Sequence, residues 1–260
     1  MAAKKSKPKA KSKKSKSSFF KSKFWKIVKY TFLSLFLFSI LLPLTYRWIN
    51  PPVTPLMLIR KFSDGSEIRH QWVDMKNISP HLVTAAVAAE DGHFLTHNGF
   101  DFKAMQKAQD ANKKGKKLRG ASTISQQVAK NVFLYPKRSY FRKTLEGYFT
   151  VLIELFWSKE RIMEVYLNVI ETGKGMYGCE AAAQTYFNTS AKNLTAAQAA
   201  LLTTIYPDPR KRNPAKPSAY LKLYQANILK NMANVGKISF TPEAIKKAKE
   251  RAEKQKVKGK

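Results

Sequence analysis

The chain has 260 residues, of which 48 are basic, 17 acidic and one a cysteine, for a formal charge of +31. That length builds one good-sized core, or a core plus an appendage. A lone cysteine excludes an internal disulfide framework, and the charge asks for an anionic partner such as nucleic acid, an acidic lipid surface or an anionic substrate.

Twelve lysines and no acid fall within residues 1–29. A Lys/Ser/Ala/Pro segment cannot bury a core, so residues 1–24 are expected to form a disordered basic tail. Residues 30–46 carry no charge, and Trp25, Ile27, Val28, Trp48 and Ile49 extend the apolar run. Residues 25–49 therefore predict a helix able to cross a hydrocarbon core of about 30 Å, with Tyr30, Tyr46 and Trp48 at interfacial positions. A cleaved signal peptide has the same basic-then-apolar pattern. The exit Tyr46-Arg47-Trp48-Ile49-Asn50-Pro51-Pro52 has no small-x-small cleavage site, which favours an uncleaved anchor. The basic flank stays cytoplasmic, so everything after about residue 50 is expected across the membrane, where nucleic acid is no partner.

Residues 50–78 read as a connector. Two apolar-containing runs, 57–62 and 67–73, flank Ser63-Asp64-Gly65-Ser66, which suggests a small hairpin. Residues 79–235 read as a mainly α domain and 236–260 as a basic C-terminal tail. Ser79-Pro80 opens a helix through Ala89. Asp101 caps a helix over 102–112, and Lys113-Lys114-Gly115-Lys116-Lys117 is a basic loop. Ser122 or Thr123 starts a helix to about Val132. Ser139 begins a long helix with Leu145, Phe149, Leu152, Ile153 and Phe156 at helical spacing. Ser158 starts the next, and helices over 180–187 and 195–206 complete the set. Asn188 is expected to hold a left-handed turn, and Cys179 reads as a small buried apolar residue.

Two polar clusters interrupt this apolar helical pattern. Glu90-Asp91 ends an Ala/Val-rich run, where a carboxyl beside apolar surface has its charged form disfavoured and its pKa raised, as a general base near neutral pH requires. Ser122, Thr123, Gln126, Gln127 and Lys130 follow, the last three within one helical turn. In the long helix Arg142, Lys143 and Glu146 share one side; a surface salt bridge worth under about 1 kcal/mol is the competing reading. Lys137 and Arg138 add charge nearby. One candidate base, a second acid among cations and several Lys/Arg donors suit a reaction that expels a phosphate ester or diphosphate as a hydroxyl is deprotonated. His93 and His97 lack an HExxH pattern, which argues against a zinc site. Phe94, Leu95, Phe100, Phe102 and Met105 suggest an apolar patch suited to lipid, against the alternative of core packing.

These residues resemble a family. Glu90-Asp91-x-x-Phe94-x-x-His97-x-Gly99, Gly120-x-Ser122-Thr123-Ile124-x-Gln126-Gln127-x-x-Lys130-Asn131, Arg142-Lys143-x-x-Glu146 and Lys159-x-x-Ile162-x-Glu164-x-Tyr166-Leu167-Asn168 look like the ordered motifs of the peptidoglycan glycosyltransferases, glycosyltransferase family 51. The resemblance covers roughly residues 72–215. The membrane anchor, the single domain and Tyr166-Leu167-Asn168-Val169-Ile170-Glu171-x-Gly173 followed by Tyr177-Gly178-x-Glu180 resemble the monofunctional branch, and no room is expected after residue 235 for the transpeptidase domain of bifunctional relatives.

The resemblance implies a lysozyme-like helical domain behind one transmembrane helix, in the cell inner membrane, that polymerises lipid II into glycan strands. It implies Glu90 as general base on the acceptor GlcNAc 4-hydroxyl, which attacks MurNAc C1 with inversion and expels undecaprenyl pyrophosphate. Glu146 would be the second essential carboxylate, beside the donor diphosphate, with Mg²⁺ or Mn²⁺ as the candidate cofactor there and no organic cofactor. Lys130, Arg138 and Lys143 match diphosphate-binding cations. Ser122, Thr123, Gln126 and Gln127 match cleft residues, Asn131 and Arg142 belong to the same motifs, and Asp91 sits beside the base in a structural or polarising role. Expected partners are lipid II, the growing strand, the membrane and other cell-wall synthesis or division proteins. A lytic enzyme acting on existing glycan is the alternative on the same fold.

Overall fold

The computed structural model describes residues 16–113, 122–137 and 139–258. The chain divides into two compact units, residues 1–42 and 43–260. Helix α1 (Lys16–Thr45) contains a 23-residue apolar stretch, Lys23–Thr45, whose side chains are nearly all exposed. It fits a single-pass membrane anchor. Helix extends into the basic tail as far as Lys16, further than expected, because lysine is a good helix former beside an apolar run that propagates the helix. The remainder of the tail lies outside the described residues.

The expected hairpin is not there. Residues 55–64 form helix α2 (Pro55–Asp64), capped by the Thr54 side chain, which accepts from Met57 N at 3.3 Å. Pro55 supplies the helical φ at the first position, and Gly65 at φ 65° closes the helix in the left-handed region. The Asp-Gly pair is thus a helix stop, not a hairpin turn. The strand that follows, β1 (Arg69–His70), pairs in parallel with β3 (Met176–Tyr177), and β3 pairs antiparallel with β2 (Glu171–Gly173), giving a sheet of order β1-β3-β2. Strands this short carry no period-2 signal, which is why sequence patterning misses β2 and β3.

The helical layer follows the expected boundaries closely: α3 (Pro80–Glu90), α4 (Phe102–Lys113), α5 (Ile124–Phe133), α6 (Tyr140–Phe156), α7 (Lys159–Val169), α8 (Cys179–Phe187) and α9 (Ala196–Thr203). Two further helices, α10 (Ala219–Val235) and α11 (Pro242–Lys258), were not resolved by sequence pattern, and α11 replaces the expected C-terminal tail. Caps explain the starts: Ser79, Ser139 and Ser158 each accept from a first-turn N–H. Asn188 ends α8 at φ 49°, as a short polar side chain permits.

Helix α7 is the hub. Ile162, Met163, Val165, Tyr166, Leu167 and Val169 are fully buried around its circumference, as befits a helix enclosed by others. It packs on α5, which packs on α6, while α3 lies against α9 and α10. Alanines 85, 86, 199 and 200, all solvent-inaccessible, let α3 and α9 approach closely. Asn168 in α7 pairs with both backbone groups of Val73, accepting from its N and donating to its O at 2.9 Å, and so ties the connector to the core. Arg161, also in α7, holds the segment after α1: it donates to Tyr46 O at 2.9 and 3.1 Å, Ile49 O at 2.9 Å and Asn50 Oδ1 at 2.8 Å. Of the apolar residues proposed to touch lipid, Phe94 is instead fully buried in the core and Leu95 packs against it, leaving Phe102 and Met105 exposed.

Candidate active site

Three helix ends build the site. Helix α3 is buried along most of its length and delivers Glu90, half-buried, as its last residue. Burial pushes the Glu90 carboxyl above the ordinary range. A hydrogen bond from Gln127 and the charges of Lys130 and Arg212 pull it back, while Asp91 adds to the rise. Gln127 Nε2 donates to Glu90 Oε2 at 2.8 Å.

Asp91, adjacent in sequence, has a different task. It is 7% exposed, accepts from His97 Nε2 at 2.9 and 3.0 Å and from Ile124 N at 3.0 Å. His97 Nδ1 accepts from Gly99 N at 3.1 Å, which fixes the tautomer with the proton on Nε2. Thr123 Oγ1 donates to Gly99 O at 2.6 Å. Gly99 has φ 87°, and a Cβ there would lie 2.7 Å from Thr150 Cγ2, so only glycine fits. Asp91 thereby joins the loop after Glu90 to the start of α5, a structural use of its oxygens that substrate binding would have to displace.

The α5 polar residues divide by face. Thr123 and Gln126 form a reciprocal capping box, with Gln126 N donating to Thr123 Oγ1 at 3.2 Å and Thr123 N donating to Gln126 Oε1 at 3.0 Å; both are about 3% exposed. Their side chains serve the helix end. Gln127 and Lys130, one turn apart, and the neighbouring Asn131 line a cavity shared with Arg60, Glu171 and Tyr206. Ser122 lies with Glu90, His93, Asp101 and Lys107 in a second hollow. Two cavities therefore adjoin the Glu90–Gln127 pair.

In α6 the surface salt-bridge reading fails. Glu146 is 3% and Arg142 8% exposed. Arg142 Nη1 and Lys143 Nζ each donate to a different Glu146 oxygen at 2.5 Å. The Lys143 side chain is 47% exposed, so one cation of the cluster reaches solvent. Burial lowers the pKa of Lys130, as do Arg142 and Lys143, while Glu146 and, more weakly, Glu90 raise it. Lys130 thus stands in the fields of both carboxylates. Arg138 lies outside the described residues.

A divalent ion does not fit Glu146 well, since both oxygens already accept from cations. Among the described residues no group of three or more His, Cys, Asp or Glu side chains is arranged to hold a metal. Behind the site, Lys159 donates to Glu154 Oε1 at 2.7 Å and lies 4.7 Å from the centre of the Phe94 ring, and Ser125 donates to the same Glu154 oxygen. This buried network ties α5, α6 and α7 together.

Arg60 and Arg212 escaped sequence reasoning. Arg60 sits in a segment that reads as a strand and Arg212 in a Pro/Arg-rich loop; no spacing joins them to the motifs, whereas Glu171 stands in the motif that begins at Tyr166 but takes no role from it.

A family model described as Transglycosylase matches residues 57–233. The chain belongs to the transglycosylase family. It is 54% identical over 200 residues to a biosynthetic peptidoglycan transglycosylase of Caulobacter vibrioides, covering 75% of this chain and 87% of that one. A protein of the same description from Bacteroides thetaiotaomicron is 49% identical over 243 residues, 90% of this chain and 97% of its own length. One from Bdellovibrio bacteriovorus is 51% identical over 206 residues, 77% and 82% of the two chains. The domain is accordingly a lysozyme-like glycosyltransferase.

Proposed function

We propose that this transglycosylase polymerises lipid II into peptidoglycan strands from the outer face of the cell inner membrane. Glu90 takes the proton from the acceptor's GlcNAc 4-hydroxyl as that oxygen attacks C1 of the MurNAc ending the donor chain. The C1–O bond to the diphosphate breaks, the anomeric centre inverts, and undecaprenyl pyrophosphate departs with the electron pair. Negative charge that builds on the leaving diphosphate meets Lys130, Arg142 and Lys143, held ready by Glu146. Ser122, Asn131 and Gln127 orient sugars and phosphate, with Thr123, Gln126 and Asp91 keeping the α5 end in place.

The observation that carries this reading is the 2.8 Å hydrogen bond from Gln127 to Glu90. It sets the base beside the helix that presents Lys130 one turn on, while Glu146 gathers Arg142 and Lys143. A desolvated base on one side and a cluster of cations on the other suit a proton transfer coupled to loss of a diphosphate that gains negative charge as it leaves. One cavity is lined by Glu90 and another by its hydrogen-bond partner Gln127, room that suits an acceptor and a donor. The apolar span and its lysine-rich flank support a single-pass anchor with its N-terminus inside.

A lytic enzyme would need a raised acid in a neutral groove, and neutral glycan makes no use of the Arg142–Lys143–Lys130 cluster. Purified full-length protein is incubated separately with lipid II and with preformed glycan. Long glycan from lipid II supports the polymerase; cleavage of glycan with no product from lipid II would replace it with the lytic reading.

A further inference from the structure

Helix α2 is amphipathic the wrong way round for water. Two of its charged side chains face the domain: Arg60 Nε lies 3.8 Å from Glu171 Oε1, and Asp64 accepts from Arg210 Nη2 at 2.5 Å. Leu56 and Met57 are buried against Tyr177. The outward side carries Leu58 (40% exposed), Ile59 (37%) and Phe62 (83%). At about 100° per residue, Pro55, Leu58, Ile59 and Phe62 fall within roughly a 100° arc. The segment leading into α2 continues the pattern, with Trp48, Ile49 and Val53 exposed. No acid lies on this arc, while Lys61 beside it is exposed and Arg47 lies over the Trp48 ring at 5.2 Å.

Chain length says what covers this face. The apolar span ends at Thr45, and Trp48 is three residues on, so at no more than about 3.6 Å per residue it stays within roughly 11 Å of the span's end. That is the depth of the headgroup layer. Arg161 fastens the same stretch to α7 through Tyr46, Ile49 and Asn50, so the segment is a fixed part of the catalytic domain and not a loose tether.

We propose that residues 48–62 form a second membrane contact, with the Leu58–Ile59–Phe62 face of α2 lying in the interface of the leaflet where α1 emerges and Arg47 and Lys61 toward anionic headgroups. The inference rests on the membrane-anchor reading. Arg60, on the inner side of the same helix, lines the cavity with Gln127 and Lys130. An interfacial α2 therefore sets those cations at headgroup height, where a prenyl-linked diphosphate resides.

The test uses the full chain in nanodiscs containing anionic lipid. Single cysteines are introduced by Leu58→Cys, Phe62→Cys, Phe36→Cys within α1 and Lys230→Cys on the exposed side of α10, and each is labelled with a nitroxide. The natural Cys179 is fully buried and does not compete for label. Labels at 58 and 62 are expected to favour oxygen over a nickel chelate as relaxant severalfold more than the label at 230, and less than the label at 36. Chelate accessibility at 58 and 62 equal to that at 230 would overturn the inference while leaving the anchor intact. Low accessibility to both relaxants, the mark of a covering protein or second copy, would also overturn it. Chelate access at position 36 as well would bring down the anchor reading and this inference together.

Discussion

Gln127 donates its side-chain N–H to the Glu90 carboxylate at 2.8 Å, across 37 residues of sequence. The bond holds one oxygen of the base in place, stabilises its ionised form against burial, and comes from the helix that presents Lys130 one turn later. Helix α5 thus holds the base in position and moderates the rise in proton affinity that burial causes. The following expectations rest on that arrangement.

Glu90→Gln should cut polymerisation by about 10²-fold or more, the usual worth of a positioned general base. It should also raise the melting temperature at neutral pH. Glu90's folded pKa lies above its unfolded value, so its contribution to stability is present below the ordinary carboxylate range and is lost as pH rises through the folded pKa. Glutamine imitates the neutral acid at every pH and removes that loss. Calorimetry of the two proteins at pH 7 checks the sign.

Polymerisation should fall on the acid side with a pKa above that of an ordinary glutamate, because the base works only when ionised. Gln127→Ala removes the main contact that lowers this pKa, so the acid limb should move to higher pH. Lys130→Met should move it the same way, with a larger loss of maximal rate because a diphosphate-facing cation is gone. The pH–rate profiles of the three proteins decide the matter.

Glu146→Ala should destabilise the domain by about 3–5 kcal/mol, since it strands the buried Arg142. Glu146→Gln keeps an acceptor for one cation and should cost less, while still losing most activity as the cationic cluster loses its organiser. Denaturant titration and a rate assay on both variants separate the structural part from the chemical one.

Asp91→Ala should remove about 3 kcal/mol through loss of its bonds to His97 and Ile124 N. His97→Ala should produce much of the same loss, and the double variant should be less than additive because both act on one strut. A thermodynamic cycle over the four proteins measures this; strict additivity would show that the two residues act separately.

Much of this was legible in the chain. Ser79, Thr123, Ser139 and Ser158 announce helix starts through local chemistry, and the motifs containing Glu90, Gln127, Lys130 and Glu146 name the site. Sequence could not separate Gln126 from Gln127: adjacent glutamines look alike until the capping box consumes one. Nor could it see that Glu146 is buried, because an i,i+4 pair with Arg142 looks the same on a surface. The Asp64-Gly65 pair reads as a hairpin turn because both turn and helix stop use the same left-handed glycine. Arg60 and Glu171 meet only through tertiary packing, which no local spacing records.

Chelation should leave activity unchanged at saturating lipid II, since Glu146 already holds Arg142 and Lys143 where an ion would bind. Restored activity on adding Mg²⁺ or Mn²⁺ after chelation would assign the ion a place at the donor diphosphate.

The most direct measurement is the glycan made from lipid II by the wild-type chain, Glu90→Gln and Glu146→Gln, resolved by length. Long strands from wild type and only unreacted precursor from either variant are the predicted result. Strands of normal length and yield from Glu90→Gln would contradict the account, for the proton would then have gone elsewhere.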